Sequence, residues 1–192
     1  MGRTIHYPRT SSDRDAMKFK KTTLDGLWSI SPEPRVDDRG FFARTFCAKE
    51  FSENGLENRL VQTNLSYNNK RGLIRGLHYQ SEPYEEAKCV SCVRGAIFDV
   101  AVDLRPGSRT YLHWYGVDLD AEQSNMLYVP KGFAHGFQTL QNDALVLYYI
   151  SEFYRPELQR GIPWNDATLK ISWPIPNPTL SDRDRNFSPL QP

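Results

Sequence analysis

Val129-Pro130-Lys131-Gly132-Phe133-Ala134-His135-Gly136-Phe137, read with the earlier Arg75-Gly76-Leu77-His78-Tyr79-Gln80, decides the fold. Both stretches set a histidine shortly after a glycine, among residues that favour strands. Alternate side chains of a strand face one side, so both imidazoles can point into a common interior. The expectation is a β-barrel with His78 and His135 facing inward. His78 is followed by Tyr79 and Gln80 rather than by another histidine, which leaves the usual set of three or more metal ligands incomplete. A barrel working by proton transfer, without metal or cofactor, is the reading that follows.

The proline, glycine and histidine of Val129 to Phe137 are spaced as in the second half of the motif of cupin barrels, which they resemble. Working outward, strand-like runs appear at Leu27 to Ile30, Phe41 to Phe46, Leu60 to Leu65, Leu73 to Tyr79, Lys88 to Val93, Ala96 to Leu104, Tyr111 to Leu119, Met126 to Val129, Gly136 to Leu140 and Ala144 to Phe153. Their number favours an all-β, cupin-like jelly roll with short peripheral helices. Turn chemistry agrees at Asp38-Arg39-Gly40, Asn69-Lys70-Arg71-Gly72, Val93-Arg94-Gly95 and Arg105-Pro106-Gly107. Alternation in Ile97 to Leu104 puts Ile97, Asp99, Ala101 and Asp103 on one face and Phe98, Val100, Val102 and Leu104 on the other, and the second set is expected to be core. Ala48 to Asn54, closed by Gly55, reads as a helix. The proline-rich last third is expected to wrap the barrel in extended form with a short helical turn or two.

At 192 residues the chain has the length of one domain. Residues 1–23, polar and aperiodic, read as a flexible or partner-draped arm, and residues 24–192 as the single jelly-roll domain. Lysine plus arginine, 24, nearly cancel aspartate plus glutamate, 23, which argues against a nucleic-acid coat. No run approaches the roughly 18 apolar residues of a membrane span, and the N-terminus lacks the apolar stretch of a secretory signal. A cytoplasmic protein without membrane contact is expected. Cys47, Cys89 and Cys92 read as free thiols, because no second Cys-x-x-Cys or nearby Cys/His pair completes a zinc site.

Among candidate chemical groups, His78 and Gln80 share a strand face, and Arg75 joins them only if Gly76 bulges. Histidine is the natural general base near neutral pH. Lys88 is either a surface lysine or, pointing inward, a fixed cation for a developing oxyanion. Tyr148 and Tyr149 are adjacent in a strand, so one of them lines the interior, and spacing does not choose which. Arg39 and Arg75, each beside a glycine, have the guanidinium fork that suits phosphate oxygens.

Taken in order, Asp38-Arg39-Gly40-Phe41-Phe42, Gln62-Thr63-Asn64, Arg75 to Gln80, Phe98 to Arg105, Val129 to Phe137, Trp164-Asn165-Asp166 and Leu180-Ser181-Asp182-Arg183-Asp184 resemble the dTDP-4-dehydrorhamnose 3,5-epimerase family from about Leu24 to Asp184. The resemblance implies a homodimeric, cofactor-free enzyme acting on a nucleotide-diphosphate 4-keto-6-deoxy sugar. It implies His78 as base, Asp184 behind it, Tyr148 as the acid on the opposite face, and Lys88 beside the enolate oxygen. It further implies His135 near that oxygen, Arg39, Arg75, Gln62 and Asn64 on the substrate, Tyr154 stacked on the base, and Arg183 at a substrate-contacting position. Arg39 is expected to reach a partner's pocket.

Three positions depart from the family's pattern. Arg44 and Gln159 stand where it has nucleotide-contacting glutamates, and Ser91 where its Lys-Leu-Val-Arg strand has arginine. A carboxylate accepts from a thymine ring N–H, whereas arginine only donates, so nucleotide-sugar substrates with another base, such as CDP, enter the expectation. The competing readings are an epimerase of C3 or C5 alone, a non-catalytic sugar-nucleotide-binding barrel, and a metal-dependent cupin oxygenase using His78, His135 and Glu85 or Glu86.

Overall fold

The computed structural model describes residues 16–190. Strands β1 (Lys18–Lys21), β2 (Trp28–Ser31), β10 (Met126–Val129), β7 (Lys88–Arg94), β12 (Ala144–Ile150) and β5 (Gln62–Asn68) form one antiparallel sheet in that order. The facing sheet runs β13 (Gln159–Gly161), β6 (Ile74–Gln80), β11 (Phe133–Thr139), β8 (Ala96–Asp103) and β9 (Trp114–Asp120). Two antiparallel sheets whose neighbours are distant in sequence make a jelly roll. A separate hairpin, β3 (Arg35–Asp37) with β4 (Gly40–Phe42), projects from it, and helices α1 (Ala48–Glu53) and α2 (Asp182–Arg185) lie at the periphery.

Both sheets contribute to the interior. Val90 and Cys92 of β7, Leu127 and Val129 of β10 and Val146 of β12 meet Ile97 and Ala101 of β8 and Phe133 and Phe137 of β11. Each large apolar side chain so buried contributes about 1.5–3 kcal/mol relative to exposure. The outer faces are covered too. Phe51 of α1 lies with Cys89, Met126 and Tyr128 over the first sheet, while Ile162, Leu169 and Trp173 of the C-terminal segment lie over Leu77, Val100 and Val102 of the second.

This double covering bears out Val100 and Val102 as core, with Phe98 and Leu104 packed against them, and adds the opposite face of Ile97 to Leu104, which was not expected to be buried. The face carrying Phe98, Val100 and Val102 packs outward beneath the C-terminal wrap, and the face carrying Ile97, Asp99 and Ala101 lines the barrel interior. A strand buried on both sides loses the contrast that alternation relies on. The arm is corrected at its C-terminal end. Lys18–Lys21 pairs with Trp28–Ser31, and Met17 and Phe19 pack near Phe51, so ordered structure begins before Leu24. Three lysines around one phenylalanine disguise the strand. Residues 1–15 lie outside the described residues. The expected strand over Phe41 to Phe46 shrinks to β4, because Asp37 accepts the Arg39 N–H at 2.9 Å and closes a tight hairpin.

Where β6 crosses β11, backbones approach too closely for side chains. A Cβ on Gly76, whose φ is +118°, would lie 2.6 Å from the Gly136 Cα and 2.7 Å from the His135 carbonyl oxygen. The ladder shifts register there, between His135 and Phe137. Glycine at both positions lets the irregularity form beside the two histidines.

Candidate active site

Leu77 packs outward, so its neighbour His78 turns inward. On β11 the residue directly opposite His78 is His135, flanked by Phe133 and Phe137 of the interior core. The two imidazoles are thus cross-strand neighbours within the barrel.

Each ring is held by a carboxylate. Asp184 Oδ1 lies 2.7 Å from His78 Nε2. Ser181 caps the helix that delivers it, its hydroxyl accepting the Asp184 N–H at 3.1 Å. Burial works to raise the Asp184 pKa. The hydrogen bond and charge of His78, with bonds from Gly76 and Ser181, outweigh it and hold the carboxyl below its ordinary range. Phe187 stands edge-on to the His78 ring at 5.7 Å, in space left open by Gly161. His135 Nε2 lies 2.8 Å from Oδ1 of Asp99, which is fully buried.

β12 presents Tyr148 and Tyr149 to opposite faces. Tyr148 points inward, edge-on to His135 at 6.1 Å. Tyr149 points outward to Phe46 and shares a 2.9 Å hydrogen bond with Thr45. Burial, and then the negative charge of Asp99, push the Tyr148 phenol well above its ordinary value, against a smaller opposing effect of Arg75. It is therefore a protonated hydroxyl at neutral pH.

Lys88 is 7% exposed and shares the inward face of β7 with Val90 and Cys92. Its ammonium donates to Glu86 at 2.6 Å. Along the edge strand β5, Gln62 and Asn64 lie opposite Ile150 and Tyr148. Arg75 reaches across from the second sheet to donate to Asn68 Oδ1 at 2.7 Å. Tyr154 ties the rim together: its N–H donates to Gln62 at 2.7 Å and its hydroxyl to Gln159 Oε1 at 2.6 Å. Gln80 closes the floor of that loop by accepting the Arg155 N–H at 2.8 Å.

Three residues are not gathered there. Arg39 projects from the β3–β4 hairpin, its side chain 90% exposed and paired with Asp37 at 2.6 Å. Arg44 lies on the α1 side, paired at 2.8 Å with Glu50, which also accepts the Met17 N–H. Arg183 is exposed on α2, beside Asp184 but facing away from it. Conversely, the structure adds Asp99, Asn68 and Glu86. Asp99 stands in the sequence only as a charged residue between Ile97 and Ala101, inside the Phe98 to Arg105 segment of the resemblance, with no role assigned to it. Asn68 gives no signal, and Glu86 enters only as an alternative ligand in the metal-dependent reading. Among the described residues no group of three or more histidine, cysteine, aspartate or glutamate side chains is arranged to hold a metal ion.

A jelly-roll barrel whose interior gathers two imidazole–carboxylate pairs, a phenol and a buried lysine defines a cupin-type protein, and groups of this kind can exchange protons. Comparison with known proteins gives the family. The family model described as dTDP-4-dehydrorhamnose 3,5-epimerase matches residues 21–192. The chain is 47% identical over 177 residues to the dTDP-4-dehydrorhamnose 3,5-epimerase of Methanothermobacter thermautotrophicus, covering 91% of this chain and 95% of that one. It is similar, at 42% identity and a TM-score of 0.89, to the crystal structure of the Bacillus anthracis enzyme of that name with TDP and PPi bound, over 91% of this chain and all of the other. It is also similar, at 36% identity and a TM-score of 0.82, to ChmJ, a 3'-monoepimerase from Streptomyces bikiniensis in complex with dTDP-quinovose, over 88% and 85% of the two chains. The chain belongs to the dTDP-4-dehydrorhamnose 3,5-epimerase family, a family of isomerases.

Proposed function

We propose that the protein is a cytoplasmic, cofactor-independent epimerase of deoxysugar biosynthesis that inverts C3, C5 or both of a dTDP-linked 4-keto-6-deoxyhexose. The observation that carries the reading is the His78–Asp184 pair at 2.7 Å, facing the same interior as the Tyr148 phenol. A ketone acidifies the C–H bonds on its two flanking carbons. Asp184 occupies Nε2 of His78, so Nδ1 is the nitrogen that takes the proton, and the carboxylate steadies the imidazolium that results. The C–H electron pair moves into a new C–C double bond and the carbonyl π pair onto oxygen, giving an enolate. Lys88 and His135 stabilise that oxygen as cation and ring donor. Tyr148 then protonates the carbon from the opposite face, the carbonyl re-forms, and solvent returns a proton to the phenolate while His78 releases its own.

Around this centre Arg75 meets the diphosphate, Gln62 and Asn64 the substrate, and Tyr154 the face of the base. Because the Tyr154 hydroxyl occupies Gln159 Oε1, the Gln159 amide offers its N–H groups to a base carbonyl. In a homodimer, Arg39 on its exposed hairpin reaches a partner's site, and Phe41 and Phe42, 52% and 68% exposed, supply apolar surface for that contact. The dTDP preference is supported by the names of the relatives and by the TDP and dTDP-quinovose in the two solved structures.

Proton NMR in deuterated water with dTDP-, CDP-, UDP- and GDP-linked 4-keto-6-deoxy sugars tests both parts. The expected outcome is deuterium at C3, C5 or both with the dTDP sugar and at least about tenfold slower uptake with the others. Faster uptake with another base would overturn the nucleotide assignment, and uptake with none would overturn the epimerase.

A further inference from the structure

Asp99 is a fully buried carboxylate with only one of its oxygens engaged. Oδ1 accepts from His135 Nε2 at 2.8 Å, and Oδ2 has no hydrogen-bond partner among the described residues. Asp103, four residues along the same face of β8, shows what a carboxylate with a structural duty looks like. Its Oδ1 accepts from the Arg105 N–H and Nε at 3.0 and 2.8 Å, and its Oδ2 from Arg105, Ser108 and Thr110 at 2.6–2.7 Å. Asp103 locks a loop. Among the described residues Asp99 fastens no loop and pairs with no cation other than a histidine ring, in a core where an apolar residue of similar size would avoid desolvating a carboxylate.

What Asp99 does is hold one imidazole. His135 is 5% exposed, fixed at Nε2 by Asp99 and bounded on another side by the Tyr148 ring. Nδ1 is the ring nitrogen left for a ligand. The arrangement repeats that of the neighbouring strand, where Asp184 also takes Nε2 of His78 and also leaves Nδ1. The barrel thus holds two imidazoles side by side, each backed by its own buried carboxylate.

We propose that Asp99 is the positioning residue for His135, fixing its ring so that Nδ1 meets the ketone oxygen of the sugar and balancing the ring's positive charge as that oxygen becomes an enolate. The proposal deepens the epimerase reading and rests on it. Asp99 touches no substrate atom. A neutral side chain at 99 leaves His135 in place but free to turn, and it removes the counter-charge when the ring donates.

The test is a double-mutant cycle of Asp99→Asn, His135→Asn and the two together, with kcat, KM, solvent exchange and the side-chain ¹⁵N resonances of His135 as readouts. Asp99→Asn is expected to lower kcat about 10²-fold with KM within about threefold. The double variant is expected to be no slower than His135→Asn, because both changes remove one device. In the wild type, the ¹⁵N pattern of His135 should show Nε2 protonated, and Asp99→Asn should change it. Turnover of Asp99→Asn within about threefold of wild type, losses that multiply in the double variant, or an unchanged ¹⁵N pattern would each overturn the proposal. If Asp99→Asn does not fold, the wild-type resonances decide, and Nε2 found unprotonated overturns it. Absence of solvent exchange in the wild type itself is a separate result, which sinks the epimerase reading, and the ¹⁵N arm then still judges Asp99.

Discussion

Replacing His78 with alanine is expected to lower turnover by about 10²–10⁴-fold and to abolish solvent deuterium uptake at the carbons flanking the ketone, the barrel staying folded. The loss is large because enolate formation needs a base within reach of a weakly acidic C–H, and Asp184 sits behind the ring rather than before the substrate. The fold should survive. The His78 side chain is 28% exposed, so its removal leaves little closed cavity, and an Asp184 deprived of that partner costs roughly 1–3 kcal/mol of a domain's typical 5–15. The same pair predicts a pH signature. Asp184 has its folded pKa depressed, so the stability it contributes is present above the ordinary carboxylate range and is lost as pH falls through the lowered folded value. Denaturant unfolding should therefore separate wild type from His78→Ala at neutral pH and bring them together in acid. Deuterium uptake at the wild-type rate in His78→Ala would remove His78 as base.

Tyr148→Phe is expected to separate the two halves of the reaction. His78 still removes and returns a proton on its own face, so deuterium continues to enter at a carbon beside the ketone. Inversion, which needs a donor on the other face, falls about 10²–10³-fold. Only a hydroxyl is removed, and burial together with the Asp99 charge keeps that hydroxyl protonated at neutral pH, so the lost function is that of an acid. Epimerised product forming at the wild-type rate would assign the acid to another group, whereas exchange and inversion lost together would make Tyr148 part of the first step as well.

The barrel was legible because its strands are punctuated by Gly and Asp turns and because Met126–Val129 and Lys88–Arg94 are runs of apolar and β-branched residues. What stayed hidden was burial on both faces. Period-two reasoning took Phe98, Val100 and Val102 as core, and a C-terminal wrap far along the chain does cover them, but it gave no sign that the face of Ile97, Asp99 and Ala101 is buried as well. The strand at Lys18–Lys21 was hidden for the opposite reason, since its lysines face solvent and Phe19 alone faces α1. At the site, His78 and His135 were readable as a pair because each carries its own glycine-marked strand. Their carboxylates were not equally so. Asp184 comes from a helix more than a hundred residues beyond His78, and only family resemblance joined them. Asp99 needed the register of β8 against β11, which pairs it with Phe137 and His135 with Ala101. The choice of Tyr148 over Tyr149 likewise required knowing which side of β12 the second sheet covers.

The measurement that bears most directly on the central claim is proton NMR of the wild-type protein with a dTDP-linked 4-keto-6-deoxyhexose in deuterated water, with no added metal or cofactor. Proton transfer by His78 predicts that the C3 or C5 signal, or both, disappears as deuterium enters and that epimerised sugar accumulates. Signals at both carbons that persist while the nucleotide sugar is demonstrably bound would contradict it.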